Sequence, residues 1–295
     1  MSHAPRTRAD FRFFHPLRVR WAEVDMQKIV FNAHYLMYFD TAISDYWRAL
    51  ALPYEEAMEH LGGDLYVKKA TLEYHASARY DDQLAIAQRC ERIGNSSIQF
   101  RGAIFRGDEL LVESEIVYVY ADPATQKSQS VPQALRDTLN GYEAGQAMVD
   151  IRLGPWHQLG EAARQVRTEV FVREQNIPLE LEWDAEDETA LHAVAFNRLG
   201  MPVATGRLLQ HEADVARIGR MAVSRVLRGS GLGRGILLAL LQAARQRGDR
   251  AVVLHAQRSA IDFYRRLGFE GEGAPFEEAG IPHLTMRCVL AGAPA

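Results

Sequence analysis

The sequence predicts a two-domain α+β protein, in which a long helix wrapped by an antiparallel sheet is followed by a mixed α/β fold. Three observations support this prediction. The 295 residues exceed the length of a typical single domain, and two domains of about 150 residues are the simplest division. Apolar residues recur at helical spacing over residues 33–50 and at strand spacing over residues 65–121. From residue 148 onward, short strand and helix patterns alternate.

The first half is expected to begin with a strand over residues 13–23 and a loop over residues 25–34. One face of the following helix carries Leu36, Phe39, Ile43, Tyr46 or Trp47, and Leu50. Pro53 is expected to prevent its continuation. Four strands then form a predicted meander wrapped around this helix, with hairpin turns at residues 94–95 and 106–108.

A short helix over residues 132–140 closes the first half, and the polar segment 141–146 is the predicted linker. The expected domains are therefore residues 1–142 and 147–295. In the second domain, strand patterns alternate with helix patterns over residues 156–174, 236–248 and 259–267.

Composition indicates an ordinary globular protein without a bias towards nucleic acid or membrane partners. The formal net charge is −4, and 24% of residues are charged. The two cysteines, Cys90 and Cys288, fall in different predicted domains, which argues against a disulfide framework and a cysteine metal site. No apolar run approaches the roughly 20 residues of a membrane span, and the N-terminus has no secretory h-region. We expect a cytoplasmic protein.

The most informative motif is the glycine-rich run at residues 228–235, between a predicted strand and a predicted helix. In the pattern Arg228-x-x-Gly231-x-Gly233, successive backbone N–H groups can face one concavity. The helix that starts there adds unpaired amides and the positive end of its dipole. Such a turn can bind a pyrophosphate group.

Together with this turn, further segments resemble the GCN5-related N-acetyltransferase (GNAT) superfamily. They are Ile218-Gly-Arg-Met-Ala-Val223, Ala204-Thr-Gly-Arg207 and Ala260-x-x-Phe263-Tyr264-x-x-x-Gly268-Phe269. The resemblance covers nearly all of residues 148–290. It implies transfer of an acetyl group from acetyl-CoA to an amine, with acetyl-CoA or acyl-CoA as a substrate and no tightly bound cofactor.

The GNAT resemblance also implies roles for individual residues. The backbone of Met221 and Val223 pairs with the pantetheine arm, and Tyr264 is the general acid for the departing thiolate. A phenol suits that role because it can hydrogen-bond to sulfur and then protonate it. The CoA pyrophosphate rests on the amides of Arg228, Gly229, Ser230, Gly231, Leu232, Gly233 and Arg234.

Two questions stay open in the second domain. The base that takes the proton of the amine has three candidates, Glu174, His192 and Glu278. Arg207 and Arg220 are expected to be ion-pair partners, with recognition of a substrate carboxylate as the alternative.

The first half resembles the hotdog fold, particularly the 4-hydroxybenzoyl-CoA thioesterase-like acyl-CoA thioesterases. The matching residues are Val19-Arg-Trp-Ala-Glu-Val-Asp25, Ile29-Val-Phe31 and Asn32-Ala-His-Tyr-Leu-Met-Tyr-Phe39. By that pattern, Asp25 is the catalytic carboxylate, which attacks the thioester or activates water. The Asn32 amide, near the helix start, serves as an oxyanion donor.

This half departs from the hotdog pattern at two places. Lys28 stands where many relatives have glycine, and the polar side chains of Asn32 and His34 are exchanged relative to them.

The two resemblances together predict a bifunctional enzyme, a thioesterase fused to an N-acetyltransferase, and neither chemistry calls for a metal. Hotdog units usually pair edge to edge, so a homodimer or higher homo-oligomer is expected. One alternative is an acetyltransferase whose first domain only dimerises. The other is a CoA-thioester sensor without catalytic activity.

Overall fold

The computed structural model describes residues 6–290. The chain divides into two compact units, Met1–Met148 and Val149–Ala295. The segment predicted as a linker begins inside a helix, because the closing helix of the first unit continues to Glu143. Among the described residues, no helix combines the length and apolarity that a membrane crossing requires.

The amino-terminal unit is a five-stranded antiparallel sheet packed against one long helix. The elements are β1 (Phe13–Arg18), α1 (Asn32–Ala49), α2 (Tyr54–Leu61), β2 (Asp64–Tyr74), β3 (Gln83–Ile93), β4 (Ser97–Arg106), β5 (Glu109–Ala121) and α3 (Gln133–Glu143). The strands follow the order β1-β3-β4-β5-β2. The predicted long helix and antiparallel sheet are confirmed.

The strand arrangement differs from the predicted meander in one respect. β2 pairs with β5 and not with β3. The connection between β2 and β3 instead passes the start of α1, where the Ala78 N–H donates to the Tyr35 hydroxyl (2.9 Å) and the Val30 N–H donates to the Ala78 carbonyl (2.9 Å). These long-range contacts, which no local pattern specifies, fix the crossing.

One local prediction in this unit was wrong, and one short helix was missed. The strand predicted over residues 13–23 ends at Arg18, and Trp21–Glu23 form a 3-10 turn. The turn is stabilised by Glu23, which accepts hydrogen bonds from the Arg20 N–H (2.7 Å) and the Tyr38 hydroxyl (2.8 Å). Helix α2 was not predicted, and Pro53 serves as its N-cap residue, where a proline leaves no helical bond unmade.

Helix α1 buries most of its predicted apolar face against the sheet. Phe39 and Tyr46 are fully buried, but Leu36 is 40% exposed, and Tyr38 is buried in its place. Gly102 on β4 permits this close packing, because a Cβ there would lie 2.6 Å from the Phe39 ring.

The carboxy-terminal unit is built on a seven-stranded mixed sheet. The elements are β6 (Val149–Gly154), α4 (Trp156–Arg167), α5 (Leu179–Glu182), β7 (Leu191–Asn197), β8 (Pro202–Glu212), β9 (Val215–Val223), α6 (Leu232–Arg247), β10 (Ala251–Gln257), α7 (Ile261–Arg265), β11 (Glu270–Glu278) and β12 (Ile281–Val289). The strands follow the order β11-β12-β10-β9-β8-β7-β6. Helix α4 runs without a break into a π-helical turn, Thr168–Glu174, so the helical prediction for residues 156–174 holds. The final hairpin, β11 and β12, was not predicted.

The core of this unit lies between α6 and the sheet. One apolar face of α6 is buried and packs against inward-facing side chains of β10 such as Val252, Leu254 and Ala256. The buried residues of this face are Ile236, Leu237, Leu240, Leu241 and Ala244. Because strand side chains alternate, the neighbouring His255 and Gln257 face the opposite side of the sheet. This packing fixes which residues of β10 can contribute to a site.

Candidate active sites

The glycine-rich turn before α6 presents a row of unpaired backbone amides. Gly229 and Gly231 have φ angles of 87° and 89°, in the region that favours glycine. Within residues 6–290, the N–H groups of Gly229, Gly231, Leu232, Gly233 and Arg234 form no hydrogen bond. Helix α6 begins there without a side-chain cap. An anion can therefore be bound by these amides and by the positive end of the helix dipole.

Two predicted members of this turn use their amides differently. The Arg228 N–H donates to the Arg225 carbonyl and the Ser230 N–H to the Leu227 carbonyl, both at 3.3 Å. The Ser230 hydroxyl also donates to the Leu227 carbonyl at 2.6 Å. The predicted stretch of seven amides is thus reduced to five that are free.

Next to the turn, strand β9 has an unpaired edge inside the sheet. β9 pairs with β10 only over Val215 to Arg217, and the two strands separate beyond that point. Met221 and Val223 lie on the separated part, where an extended ligand could add to the edge as a strand. The Val223 carbonyl already accepts the Arg228 Nε–H at 3.2 Å.

A β-bulge in β9 shapes the same edge. Arg220 and Met221 lie opposite Gly206 alone, and Arg220 has a φ of 51°. A Cβ on Gly206 would lie 2.6 Å from the Met221 sulfur. Such a strained residue is maintained by its surroundings, and it occurs where the predicted ligand backbone would run.

Tyr264 lies in a cleft of about 480 Å³ that also includes Met221. The side chain is buried, and its hydroxyl forms no hydrogen bond with any other residue in the described range. Burial raises the pKa of Tyr264 to about 12, so the phenol is protonated at neutral pH. The hydroxyl is therefore available to donate a proton.

In the amino-terminal unit, the Asp25 loop is a tight, well-bonded turn. The Asp25 Oδ1 accepts the Gln27 N–H at 2.8 Å, and the Asp25 carbonyl accepts the Lys28 N–H at 2.9 Å. Lys28 has a φ of 62°, which is the conformation that glycine favours. The position where many relatives have glycine therefore keeps the glycine-like backbone despite the side chain.

Asp25 and Asn32 line one cleft of about 490 Å³. Asn32 is the first residue of α1, and in the described part of the chain the N–H groups of Asn32 and Ala33 have no hydrogen-bond acceptor. His34 is half-buried, contacts the Phe31 ring and does not line the cleft. The Asp25 carboxylate and the open start of α1 thus line the same cleft, and Asn32 but not His34 is among its lining residues.

Two family models match the two units. An acetyltransferase (GNAT) domain matches residues 160–290, and a thioesterase-like superfamily domain matches residues 19–139. An uncharacterized N-acetyltransferase of Bacillus subtilis, YjcF, is 37% identical over 122 residues, which are 41% of this chain and 86% of that protein. The carboxy-terminal unit belongs to the GNAT acetyltransferases. The amino-terminal unit has a hotdog fold and resembles the thioesterase-like superfamily over residues 19–139.

Solved structures of both kinds are also similar to the chain. An acyl-CoA N-acyltransferase from Pseudomonas aeruginosa is 34% identical, covering 48% of this chain and 99% of that one, with a TM-score of 0.44. A 1,4-dihydroxy-2-naphthoyl-CoA thioesterase from Synechocystis is 16% identical, covering 43% of this chain and 95% of that one, with a TM-score of 0.41.

The three candidate bases of the GNAT unit have different surroundings. Both carboxylate oxygens of Glu174 lie 2.6 Å from the Arg228 guanidinium, which lowers the pKa of Glu174. His192 is buried against the Trp156 ring, its Nε2 lies 2.9 Å from the Asp187 carbonyl, and burial lowers its pKa. Of the three, only Glu278 lines the cleft.

Sequence reasoning missed His255, which lines the cleft and lies 3.1 Å from Glu278, between Nδ1 and Oε2. The alternation of inward-facing and outward-facing side chains along β10 could have indicated this residue. It places His255 on the face opposite the buried Leu254 and Ala256. No spacing rule links His255 to Glu278, which is 23 residues away.

Arg207 and Arg220 are ion-pair partners, as expected. Arg207 is buried and contacts Asp184 (2.6 Å) and Asp187 (2.7 Å), while Arg220 contacts Asp184 (3.0 Å). Burial alone would raise the pKa of Asp187, but the hydrogen bonds from Arg167 and Arg207 bring that pKa below its ordinary value. These pairs anchor the segment that forms one wall of the cleft.

One group of side chains in the thioesterase-like unit has the composition of a metal site. Among the described residues, ligand atoms of Glu73, His75 and Glu113 lie within 4.8 Å of one another. The sequence alone indicated no such cluster. His75 already forms a 3.0 Å hydrogen bond with Glu113, and Glu73 is exposed, so the arrangement is explained without an ion.

Proposed function

We propose that the GNAT unit transfers an acetyl group from acetyl-CoA to an amine. The observation that supports this most is the row of five free amides at α6, followed by the unpaired edge of β9. The amides suit a pyrophosphate and the edge suits an amide-containing pantetheine arm. The amides of Arg228 and Ser230 are not part of the proposed pyrophosphate site, because each already donates a hydrogen bond to a backbone carbonyl.

In the proposed reaction, Met221 and Val223 hold the pantetheine arm, so that the thioester lies beside Tyr264. The amine nitrogen bonds to the acetyl carbon, the C–S bond breaks, and sulfur takes the bonding electrons together with the phenol proton. The proton that the nitrogen gives up returns to the tyrosinate through solvent. Because the Tyr264 hydroxyl forms no hydrogen bond within residues 6–290, its proton can be directed to sulfur.

We propose that the thioesterase-like unit hydrolyses an acyl-CoA thioester. Asp25 supplies the carboxylate, as nucleophile or as base for water, and the Asn32 amide stabilises the developing oxyanion. The supporting observation is that both residues line one cleft at the start of α1, where two N–H groups have no acceptor among the described residues. The positive end of the helix dipole favours negative charge at that point.

The thioesterase-like unit is also proposed to form a homodimer or higher homo-oligomer. β2 is an edge strand with β5 as its one neighbour among the described strands, so its outer backbone groups make no sheet hydrogen bonds. Apolar side chains are exposed in the Asp25 loop and in the first turns of α1, namely Met26, Phe31, Leu36 and Met37. Pairing of two copies would cover them.

The two activities are tested by CoA thiol release from acyl-CoAs of increasing chain length, without and with a panel of amines. Tyr264→Phe should reduce amine-dependent release about 100-fold or more and leave hydrolysis unchanged. Asp25→Asn should reduce hydrolysis and leave amine-dependent release unchanged. This variant retains the side-chain oxygen that accepts the Gln27 N–H. Asp122→Asn is the matched control, since Asp122 forms a similar turn with Thr125 outside the cleft.

Other outcomes favour the alternatives. Amine-dependent release that Asp25→Asn leaves intact, without hydrolysis of any acyl-CoA by the wild type, indicates that the first unit serves only in assembly. Tight CoA binding without thiol release under any condition indicates a sensor. Rates that neither substitution alters contradict both catalytic assignments.

A further inference from the structure

His255 lies where β10 separates from β9. The last residue of β10 that pairs with β9 is Val253, and His255 is two residues beyond it. Its side chain lines the same cleft as Met221 and Tyr264. The imidazole therefore lies in the space where, under the proposed function, the thioester and the amine meet.

The imidazole ring is held by two neighbours. Its Nδ1 lies 3.1 Å from the Glu278 Oε2, and its edge contacts the Phe276 ring, with centroids 4.9 Å apart and planes at 79°. An Nδ1 proton directed at the carboxylate leaves the lone pair on Nε2. Within residues 6–290, the Nε2 of His255 forms no hydrogen bond.

The arginines of this cleft form ion pairs with acidic side chains other than Glu278. Arg217 pairs with Glu186 (2.5 Å) and Arg220 with Asp184 (3.0 Å). His283 is the second imidazole, but its Nδ1 faces the Ile281 carbonyl at 2.7 Å. A carbonyl orients a neutral ring, whereas a carboxylate also stabilises the imidazolium that forms when a proton is taken up.

We infer that His255 is the catalytic base of the GNAT unit and that Glu278 positions it; this inference rests on the proposed acetyl transfer. The amine nitrogen bonds to the acetyl carbon and gives one proton to the His255 Nε2. The C–S bond breaks, and sulfur keeps its electron pair and takes the Tyr264 proton. The imidazolium proton then returns to the tyrosinate through solvent, so that amine and acetyl-CoA give the amide and CoA.

The kinetic test compares His255→Gln with His211→Gln, a histidine of the same 40% exposure that lies beside Glu212 and outside the cleft. His255→Gln should lower kcat about 100-fold or more at neutral pH, with little change in the KM for acetyl-CoA. The loss should shrink at high pH, because solvent then deprotonates the amine. Glu278→Gln should keep part of the rate and move the acidic limb of the pH–rate profile.

Several kinetic results would overturn the assignment. They are an unchanged His255→Gln rate in an active protein, a loss that is the same at every pH, or a defect in His283→Gln in place of His255→Gln. An equal defect in His211→Gln would also count against it.

A second measurement does not depend on turnover. In protein labelled with ¹⁵N, neutral His255 should have its proton on Nδ1, and Glu278→Gln should release that tautomer preference. A His255 proton on Nε2 in the wild type overturns the inference even if no amine is acetylated. Failure of the proposed function is recognised separately, as wild-type protein that releases no CoA with any amine.

Discussion

Arg228 and Glu174 form a two-pronged ion pair in which both N···O distances are 2.6 Å. The pair joins the glycine-rich turn to the π-helical turn that ends α4, across 54 residues of sequence. It orients the Arg228 side chain, whose Nε also donates to the Val223 carbonyl. A residue that the sequence offered as a base is therefore a structural partner of the proposed CoA site.

Glu174→Gln should retain nearly full kcat and the wild-type pH–rate profile. Loss of a general base would instead cost about 100-fold or more. The unfolding free energy should fall by less than about 1 kcal/mol, because the pair is partly exposed. Steady-state kinetics and thermal unfolding check this, with Glu169→Gln, which breaks the nearby pair with Arg173, as control. If the acidic limb of the pH–rate profile disappeared in Glu174→Gln, Glu174 would be the base after all.

Gly231→Ala should weaken acetyl-CoA binding. An alanine at a φ of 89° is strained by about 1–2 kcal/mol, and relaxation of the turn would redirect the free amides. We expect the KM for acetyl-CoA to rise about tenfold, with a smaller effect on kcat.

Gly200→Ala is the matched control for that substitution. Gly200 has a φ of 76° in the hairpin between β7 and β8, and a Cβ there would meet no atom within 4 Å. Its strain is similar, but it presents no amide to the proposed site. Equal increases in KM for both variants would show that the effect is general destabilisation.

The rate of acetyl transfer should not decline through ionisation of Tyr264 in the ordinary pH range. Burial raises its pKa to about 12, and a raised pKa keeps the phenol protonated as the pH increases. Ionisation of Tyr264 should therefore cause no decline of wild-type kcat between neutral pH and about pH 10. A basic limb near pH 8–9 that disappears in Tyr264→Phe would contradict the role of a neutral phenol donor.

Arg167→Met should strongly destabilise the GNAT unit. Arg167 is almost fully buried and contacts Glu182 at 2.5 Å and Asp187 at 2.8 Å. Removal of the cation leaves two buried carboxylates with less compensation, at a cost of about 3–5 kcal/mol. Burial already raises the pKa of Glu182 despite this partner, which shows how poorly that carboxylate is solvated.

Arg164→Met provides the comparison for Arg167→Met. Arg164 lies one turn earlier on α4 and stacks near the same two rings, Trp156 and Trp183, but it is exposed. Its loss should cost only about 0.5–1 kcal/mol. Chemical denaturation of both variants measures the difference, and equal effects would mean that the rings, and not the buried carboxylates, account for the stability.

Much of the fold and part of each site could be predicted because the information is local. Period-two and helical patterns identified most of both sheets and the long helices, and the glycines before α6 predicted a turn whose backbone amides face one concavity. The short helix α2 and the final hairpin were missed, since neither has a long periodic pattern. Leu36 fits the apolar spacing of α1, yet the sheet covers Tyr38 in its place.

The sequence by itself determined that this protein has two units, one with a glycine-rich turn and the other with the Asp25 loop. Short-range backbone preferences and side-chain periodicity specify these features. Only the tertiary structure decided which polar groups act together. Arg228 forms an ion pair with Glu174, the Trp156 ring packs against His192, and Glu278 lies within hydrogen-bond distance of His255. Such pairings join residues that are far apart in sequence, and they depend on how strands and helices pack, which no local pattern encodes.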